Sequence, residues 1–205
     1  MKVKAILLIG MIIGCSYTTF AQSIIKQKKK IIIIDPGHGG KDSGAITIEG
    51  IQEKEIVLDI ARSMFVWNQT LLESKYDMYL TRTKDTLISL SDRTKLVKYL
   101  KPDVFISLHC NQIHDSNIQG VEVYTYDETE LSQLYAKAIL NELNRHLGFK
   151  IREPKQANFH VLREVREHCP ALLLELGYLS NTSESEYISK KENRKALALA
   201  ILMSI

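Results

Sequence analysis

The sequence of 205 residues contains little proline and glycine and only a small excess of positive charge, and each of these features excludes a class of protein. Four prolines and ten glycines are too few for a collagen-like repeat or a long flexible linker. Lysine and arginine outnumber aspartate and glutamate by only 27 to 24, so the charge balance indicates no nucleic-acid partner and no anionic membrane surface. With 45% hydrophobic and 25% charged residues, the chain has the composition of one ordinary globular domain.

The beginning of the chain differs in character from the rest. A basic start is followed by the apolar run Ala5–Gly14 and by the small residues around Ala21, which together predict a secretory signal peptide at 1–21. The apolar run is shorter than the roughly 20 residues that a membrane span needs. Residues 22–30 are then a polar, basic tether. We therefore expect export to the periplasm or cell envelope, with no integral membrane segment after signal removal; a less favoured alternative is a lipid anchor on Cys15.

Cysteine is scarce, with three in the whole chain. Only Cys110 and Cys169 remain if the leader is removed, and they adjoin opposite ends of two predicted strands. A strand of roughly 15 Å would separate them, which is beyond the reach of a disulfide. We expect two free thiols, and a core that forms without a covalent cross-link.

Short apolar runs alternate with segments of helical periodicity along the mature chain. This alternation predicts an α/β fold, a three-layer α/β/α sandwich with a mostly parallel sheet. The predicted strands are 31–34, 76–80, 104–108, 120–126 and 171–174. The predicted helices are 52–67, 91–100, 127–147 and 183 onward, the third beginning at a capping box formed by Asp127 and Glu130.

Side chains that can bind a metal or transfer protons follow three of the predicted strands. His38 lies in a glycine-rich loop after the first, His109 follows the third, and Glu175 follows the last. Because the carboxyl ends of parallel strands meet at one edge of a sheet, we expect these side chains to lie close together. Taken singly, His38 could be an exposed turn residue and His109 a core residue, but two imidazoles at one edge favour a zinc site.

A third ligand is predicted from the phase of the first helix. Glu53 is in register with the apolar positions Ile56, Val57 and Ile60, whereas Glu55 falls on the polar face. A buried carboxylate needs a partner, which a metal would supply. The alternative is that Glu53 only favours the start of a helix. His38, Glu53 and His109 are therefore the predicted zinc ligands, with the fourth position left for water.

Glu175 closes a run of leucines, where a charge is costly unless it is paired or used. We interpret it as the general base and acid beside a metal-bound water, with a pKa raised by its apolar neighbours. The alternative is a strand-end carboxylate that faces water.

Several other polar residues carry weaker predictions. Asn111 and Arg163 are candidate substrate-binding residues. Arg82 and Arg93 are expected to form salt bridges with the nearby Asp85 and Asp92. The remaining histidines, which show no ligand spacing, are expected to be structural or exposed: His114, His146, His160 and His168.

These residues also carry a resemblance to a known family. The sequence resembles the zinc-dependent N-acetylmuramoyl-L-alanine amidases of bacterial cell-wall turnover, the amidase-3 family. The match extends over most of the mature chain in five segments: IIIIDPGHGGKDSGA, IQEKEIVLDIA, LTRTKDTLISLSDRT, DVFISLHCN and NFHVLREVREHCPALLLELGYLSN.

The resemblance implies a six-stranded α/β catalytic domain over 31–205 that binds one Zn²⁺ and no other cofactor. Its zinc histidines fall on His38 and His109, its glutamate ligand on Glu53 and its catalytic glutamate on Glu175. The implied substrate is peptidoglycan, cut between N-acetylmuramic acid and the L-alanine of the stem peptide. We expect a monomer.

Two departures from the family pattern carry their own expectations. Cys110 stands where the family usually has a small residue, so the thiol would make the site sensitive to oxidation. The segment between Tyr126 and Phe159 has no room for the inhibitory helix of cell-division members, so we expect an amidase that is not self-inhibited in that way.

Two alternative functions stay open: a zinc peptidase acting within the stem peptide, and a non-catalytic wall-binding module.

Overall fold

A computed structural model describes residues 28–205. The predicted signal peptide, Cys15 and most of the predicted tether lie outside these described residues. The described chain forms a six-stranded sheet in the order β2-β1-β3-β6-β4-β5. The strands are β1 (Ile31–Pro36), β2 (Asp77–Leu80), β3 (Val104–Asn111), β4 (Glu122–Thr125), β5 (Lys155–Gln156) and β6 (Ala171–Tyr178).

The sheet is mostly parallel, as predicted. β1 pairs in parallel with β2 and β3, and β3 pairs in parallel with β6. β4 is antiparallel to β6, so β4 and its parallel neighbour β5 run against the other four strands. The prediction of a mixed α/β fold with a largely parallel sheet of six strands is confirmed.

Helices cover both faces of the sheet. One face packs against helices α1, α3 and α6, and the other packs against α2 and α4. Ile32, Ile33 and Ile34 are completely buried, because β1 lies inside the sheet with apolar layers above and below it. The helices are α1 (Glu53–Thr70), α2 (Leu90–Leu100), α3 (Glu130–Leu147), α4 (His160–Arg163), α5 (Thr182–Ser189) and α6 (Lys191–Met203).

Three details differ from the sequence-based prediction. β3 and β6 run past their apolar residues to Asn111 and Tyr178, so His109 and Glu175 lie within strands and not after them. The cap of α3 is Thr129 and not Asp127, because the Thr129 hydroxyl accepts from the Ser132 amide. The short elements β5 and α4 lack a hydrophobic periodicity and were not predicted.

The two cysteines of the described chain are buried and free, as predicted. Cys110 lies near the carboxyl end of β3, whereas Cys169 precedes the start of the neighbouring parallel strand β6. The length of a strand therefore separates them. Within residues 28–205, no helix is long and apolar enough to cross a bilayer.

Candidate metal centre

Three side chains converge at the carboxyl edge of the central strands. His38 Nε2 and His109 Nδ1 each lie 3.0 Å from Glu53 Oε1. The donor atoms of these residues all lie within 4.8 Å of one another. The two imidazole rings meet edge to face, with their centroids 4.9 Å apart. The structure thus brings together the three residues predicted as ligands, from a loop, a helix and a strand.

Glu53 begins α1 and is 2% exposed, whereas Glu55 is exposed, as the helix phase predicted. Glu53 Oε1 also accepts from the Cys110 amide at 2.9 Å, and Oε2 accepts from the Ala45 amide at 2.9 Å. Burial alone would raise the pKa of Glu53, but hydrogen bonds and charge attraction from His109 and His38 outweigh it and lower the pKa to about 2. The carboxylate is therefore ionised and fixed on both oxygens.

Glycines give the site its close contacts. A Cβ on Gly37 would clash with the imidazole ring of His109. A Cβ on Gly44 would lie 2.5 Å from Glu53 Oε2, and the backbone there has a φ of +64°, which favours glycine. At these two positions the absence of a side chain leaves room for His109 and Glu53.

Two buried arginines hold the backbone around His38, and neither pairs as the sequence suggested. Arg93 binds Asp35 at 2.6 Å and donates to the His38 carbonyl at 2.7 Å. Arg82 donates to the Gly37 carbonyl at 2.7 Å. The expected partners are on the surface and pair with lysines instead, Asp85 with Lys54 and Asp92 with Lys95. The earlier expectation is wrong because both guanidinium groups are buried, where the nearest acceptors are Asp35 and loop carbonyls.

Glu175 lies beside the cluster on β6. Its register partner on β3 is His109, and its partner on β4 is Glu122. Glu175 Oε2 is buried and has no hydrogen-bond partner within residues 28–205. Burial, and then the negative charges of Glu53 and Glu122, raise the pKa of Glu175 to about 8. In the metal-free protein this carboxyl is therefore mainly protonated at neutral pH.

Glu122 is a buried carboxylate that the sequence analysis missed. It is 1% exposed and accepts from Lys155 Nζ at 2.7 Å and from the Tyr178 hydroxyl at 3.1 Å. Burial raises the pKa of Glu122, but bonds from Lys155 and Tyr124 outweigh it, so the net shift is downward. Its position between two valines in an alternating strand was the sequence signal that could have found it.

A cleft of about 710 Å³ opens over His38, His109 and Glu175. Its walls include the loop before α2, two residues of that helix and the start of α4. Several apolar side chains line these walls: Leu87, Ile88, Leu90, Phe159 and Val161. His160, which the sequence analysis treated as structural or exposed, also lines the cleft.

The two weaker candidates lie outside this lining. Asn111 accepts from the neighbouring Gln112 amide at 2.9 Å. Arg163 donates to Asn158 at 2.9 Å. Their assignment to substrate binding stays a prediction that the cleft geometry does not support.

The sequence model for N-acetylmuramoyl-L-alanine amidases of the amidase-3 type matches residues 32–205. The chain belongs to the amidase-3 family. The matched residues include the whole donor cluster and Glu175.

Named relatives of similar sequence agree with this membership. The sporulation-specific N-acetylmuramoyl-L-alanine amidase of Bacillus subtilis is 37% identical over 82% of this chain and 63% of its own. The probable cell wall amidase LytH of Staphylococcus saprophyticus is 33% identical over 85% of this chain and 57% of its own. This chain thus spans less than two thirds of the length of either relative.

Solved structures give the same architecture. The catalytic domain of CwlV, an amidase from Bacillus (Paenibacillus) polymyxa var. colistinus, superposes with a TM-score of 0.77 at 34% identity, covering 85% of this chain and 95% of that domain. The amidase AmiC2 of Nostoc punctiforme superposes with a TM-score of 0.79 at 29% identity, covering 87% of this chain and 96% of that one. The described domain therefore corresponds to nearly the whole of each of these two solved chains.

Proposed function

We propose that this protein is a zinc-dependent N-acetylmuramoyl-L-alanine amidase. It would hydrolyse the amide between N-acetylmuramic acid and the L-alanine of the peptidoglycan stem peptide. The observation that carries this proposal is the donor cluster His38, Glu53 and His109 beside a half-buried Glu175 in an open cleft, where Glu175 Oε2 is buried and has no hydrogen-bond partner within residues 28–205. Family membership and the names of the relatives supply the substrate class.

The donor set fits zinc. Two imidazoles and one carboxylate match the ligands of catalytic zinc sites, which keep a further position for water. Glu53 Oε1 lies 3.0 Å from one ring nitrogen of each histidine, so the three donors are close enough together to share one ion. When bound, a zinc ion there would lower the pKa of a coordinated water and polarise the substrate carbonyl.

Glu175 has the position and environment for the proton transfers. It faces the same cleft as both histidines and lies opposite His109 in the sheet. A carboxyl whose pKa is raised to about 8 in the metal-free protein both accepts and releases a proton near neutral pH. Positive charge held at the donor cluster would favour the ionised form of Glu175. This form would take the proton of the attacking water and return it to the leaving alanine nitrogen.

The proposed place of action is the periplasm or cell envelope, since the substrate lies there and residues 1–21 have the pattern of a secretory signal. A lipid anchor on Cys15 is the less favoured form of the same proposal. The cleft residues would contact the peptidoglycan directly, because the cleft opens over both histidines of the donor cluster and over Glu175.

Mass spectrometry of digestion products tests the function. The purified protein is incubated with peptidoglycan, with a chelator, and with chelator followed by excess zinc. Free stem peptides that begin with L-alanine, lost with chelator and restored by zinc, are the expected result. Cuts elsewhere in the peptide would show a peptidase instead, and zinc binding without any product would favour a wall-binding module.

A further inference from the structure

Both ring nitrogens of His38 contact a carboxylate. Nε2 lies 3.0 Å from Glu53 Oε1, on the side of the donor cluster. Nδ1 lies 2.9 Å from Asp42 Oδ2, on the other side of the ring. A neutral imidazole carries its proton on one nitrogen only, and the nitrogen that binds a metal must present its lone pair. The ring can therefore bind through Nε2 only when its proton is on Nδ1, facing Asp42.

Asp42 is placed at His38 by the backbone of a tight turn. The Gly39 amide donates to the Asp42 carbonyl at 2.9 Å, and the Asp42 amide donates back to the Gly39 carbonyl at 3.2 Å. The Gly44 amide donates to Asp42 Oδ1 at 3.1 Å, which leaves Oδ2 for the His38 ring. The turn thus fixes one carboxylate oxygen and directs the other at Nδ1.

We propose that Asp42 is a positioning residue that holds His38 in the tautomer and orientation needed for metal binding. The inference rests on the proposed function, because it requires that His38 binds the metal. Asp42 is about half exposed and makes its side-chain bonds to the His38 ring and the Gly44 amide. Removing its carboxylate should therefore alter the ligand more than the fold.

The expected effect is on zinc affinity. Loss of an outer-shell partner of a metal ligand typically weakens metal binding by about 10- to 100-fold. Asp42→Ala removes both the acceptor and its charge, so we expect a loss in that range. Asp42→Asn keeps an oxygen that can accept from Nδ1, so we expect it to recover part of the affinity. Zinc dissociation constants are measured by competition with a chromophoric chelator, which requires no turnover.

Asp85→Ala is the matched control. Like Asp42, Asp85 is about half exposed and forms an ion pair, in its case with Lys54. It also binds this loop, accepting from the Gly40 amide at 2.7 Å, but it makes no bond to His38. We expect its zinc affinity to stay within about threefold of the parent, well short of an outer-shell loss. An equal loss in Asp85→Ala and Asp42→Ala would show that general anchoring of the loop is responsible, and would overturn the positioning role.

The outcomes separate this inference from the proposed function. A parent protein that binds no zinc would overturn the proposed function, and this inference with it. A parent that binds zinc tightly, with Asp42→Ala binding equally well, would overturn the role of Asp42 alone. Weakened binding in Asp42→Ala, with partial recovery in Asp42→Asn, supports it. Urea unfolding of the metal-free variants checks that each remains folded.

Discussion

Replacing Glu175 by glutamine should stabilise the metal-free protein while it abolishes the proposed reaction. The carboxyl loses its proton near pH 4.5 in the unfolded chain but only near pH 8 in the folded one, because burial and the neighbouring Glu53 and Glu122 disfavour the charge. The folded state thus binds more protons than the unfolded state between these values. The free energy of unfolding must fall as the pH rises through this window.

The magnitude follows from the same shift. Each pH unit above 4.5 costs the folded state about 1.4 kcal/mol relative to a side chain that is neutral in both states. At pH 7 the Glu175→Gln variant should therefore be more stable than the parent by up to about 3 kcal/mol. The gain should disappear near pH 4.5, where the carboxyl is largely protonated in both states.

Urea unfolding of chelator-treated protein at several pH values measures this difference. Glu55→Gln is the control, because Glu55 lies on the same helix as Glu53 but is exposed, and its substitution should leave stability nearly unchanged at every pH. Parallel stability curves for the parent and Glu175→Gln from pH 5 to pH 8 would refute the claim that burial keeps Glu175 protonated.

Three further expectations follow from the same contacts. Glu175→Gln should bind zinc like the parent but release no stem peptide, whereas His38→Ala should lose both properties; zinc titration and product analysis check this, and turnover by either variant would refute the assignment. Arg93→Met strands the buried carboxylate of Asp35, so it should destabilise the protein by about 3–5 kcal/mol in urea unfolding, and a loss below about 1 kcal/mol would contradict the buried ion pair. Peptidoglycan digestion should proceed without an added partner. Within the described residues, the chain between β4 and β6 forms only α3, β5 and α4, which leaves no additional helix to block the site. Activity that appears only with an activator protein would contradict this expectation.

Much of the fold could be predicted because its signals are local. The isoleucine run of β1 and the periodicity of α1 each specify their own element, and helix phase alone placed Glu53 on the buried face. The edge rule for parallel strands then brought His38, His109 and Glu175 together without knowledge of any distance. The ends of strands were less predictable, because polar residues such as His109 continue a strand only when a neighbouring strand pairs with them.

The parts that sequence reasoning missed depend on contacts distant in sequence. The sequence favoured nearby Asp92 as the salt-bridge partner of Arg93, and only the packing of α2 against the sheet brings Arg93 to Asp35, 58 residues away. Glu122 was passed over because its partner Lys155 comes from β5, a two-residue strand that carries no pattern of its own. His160 lines the cleft from α4, which follows β5 in the chain, and neither of these short elements could be predicted from the sequence.

Different parts of the fold hold the residues of the site in place. His109 and Glu175 lie on adjacent strands in fixed register, so the sheet itself sets their separation. His38 lies on a loop and has a φ of 56°, a left-handed conformation that is unfavourable for a residue with a side chain. The loop therefore needs external support, which Arg93 supplies at its carbonyl and Asp42 at its ring. On this reasoning, substitutions at the loop supports should impair metal binding first, whereas substitution of Glu175 should impair turnover and leave the metal site intact.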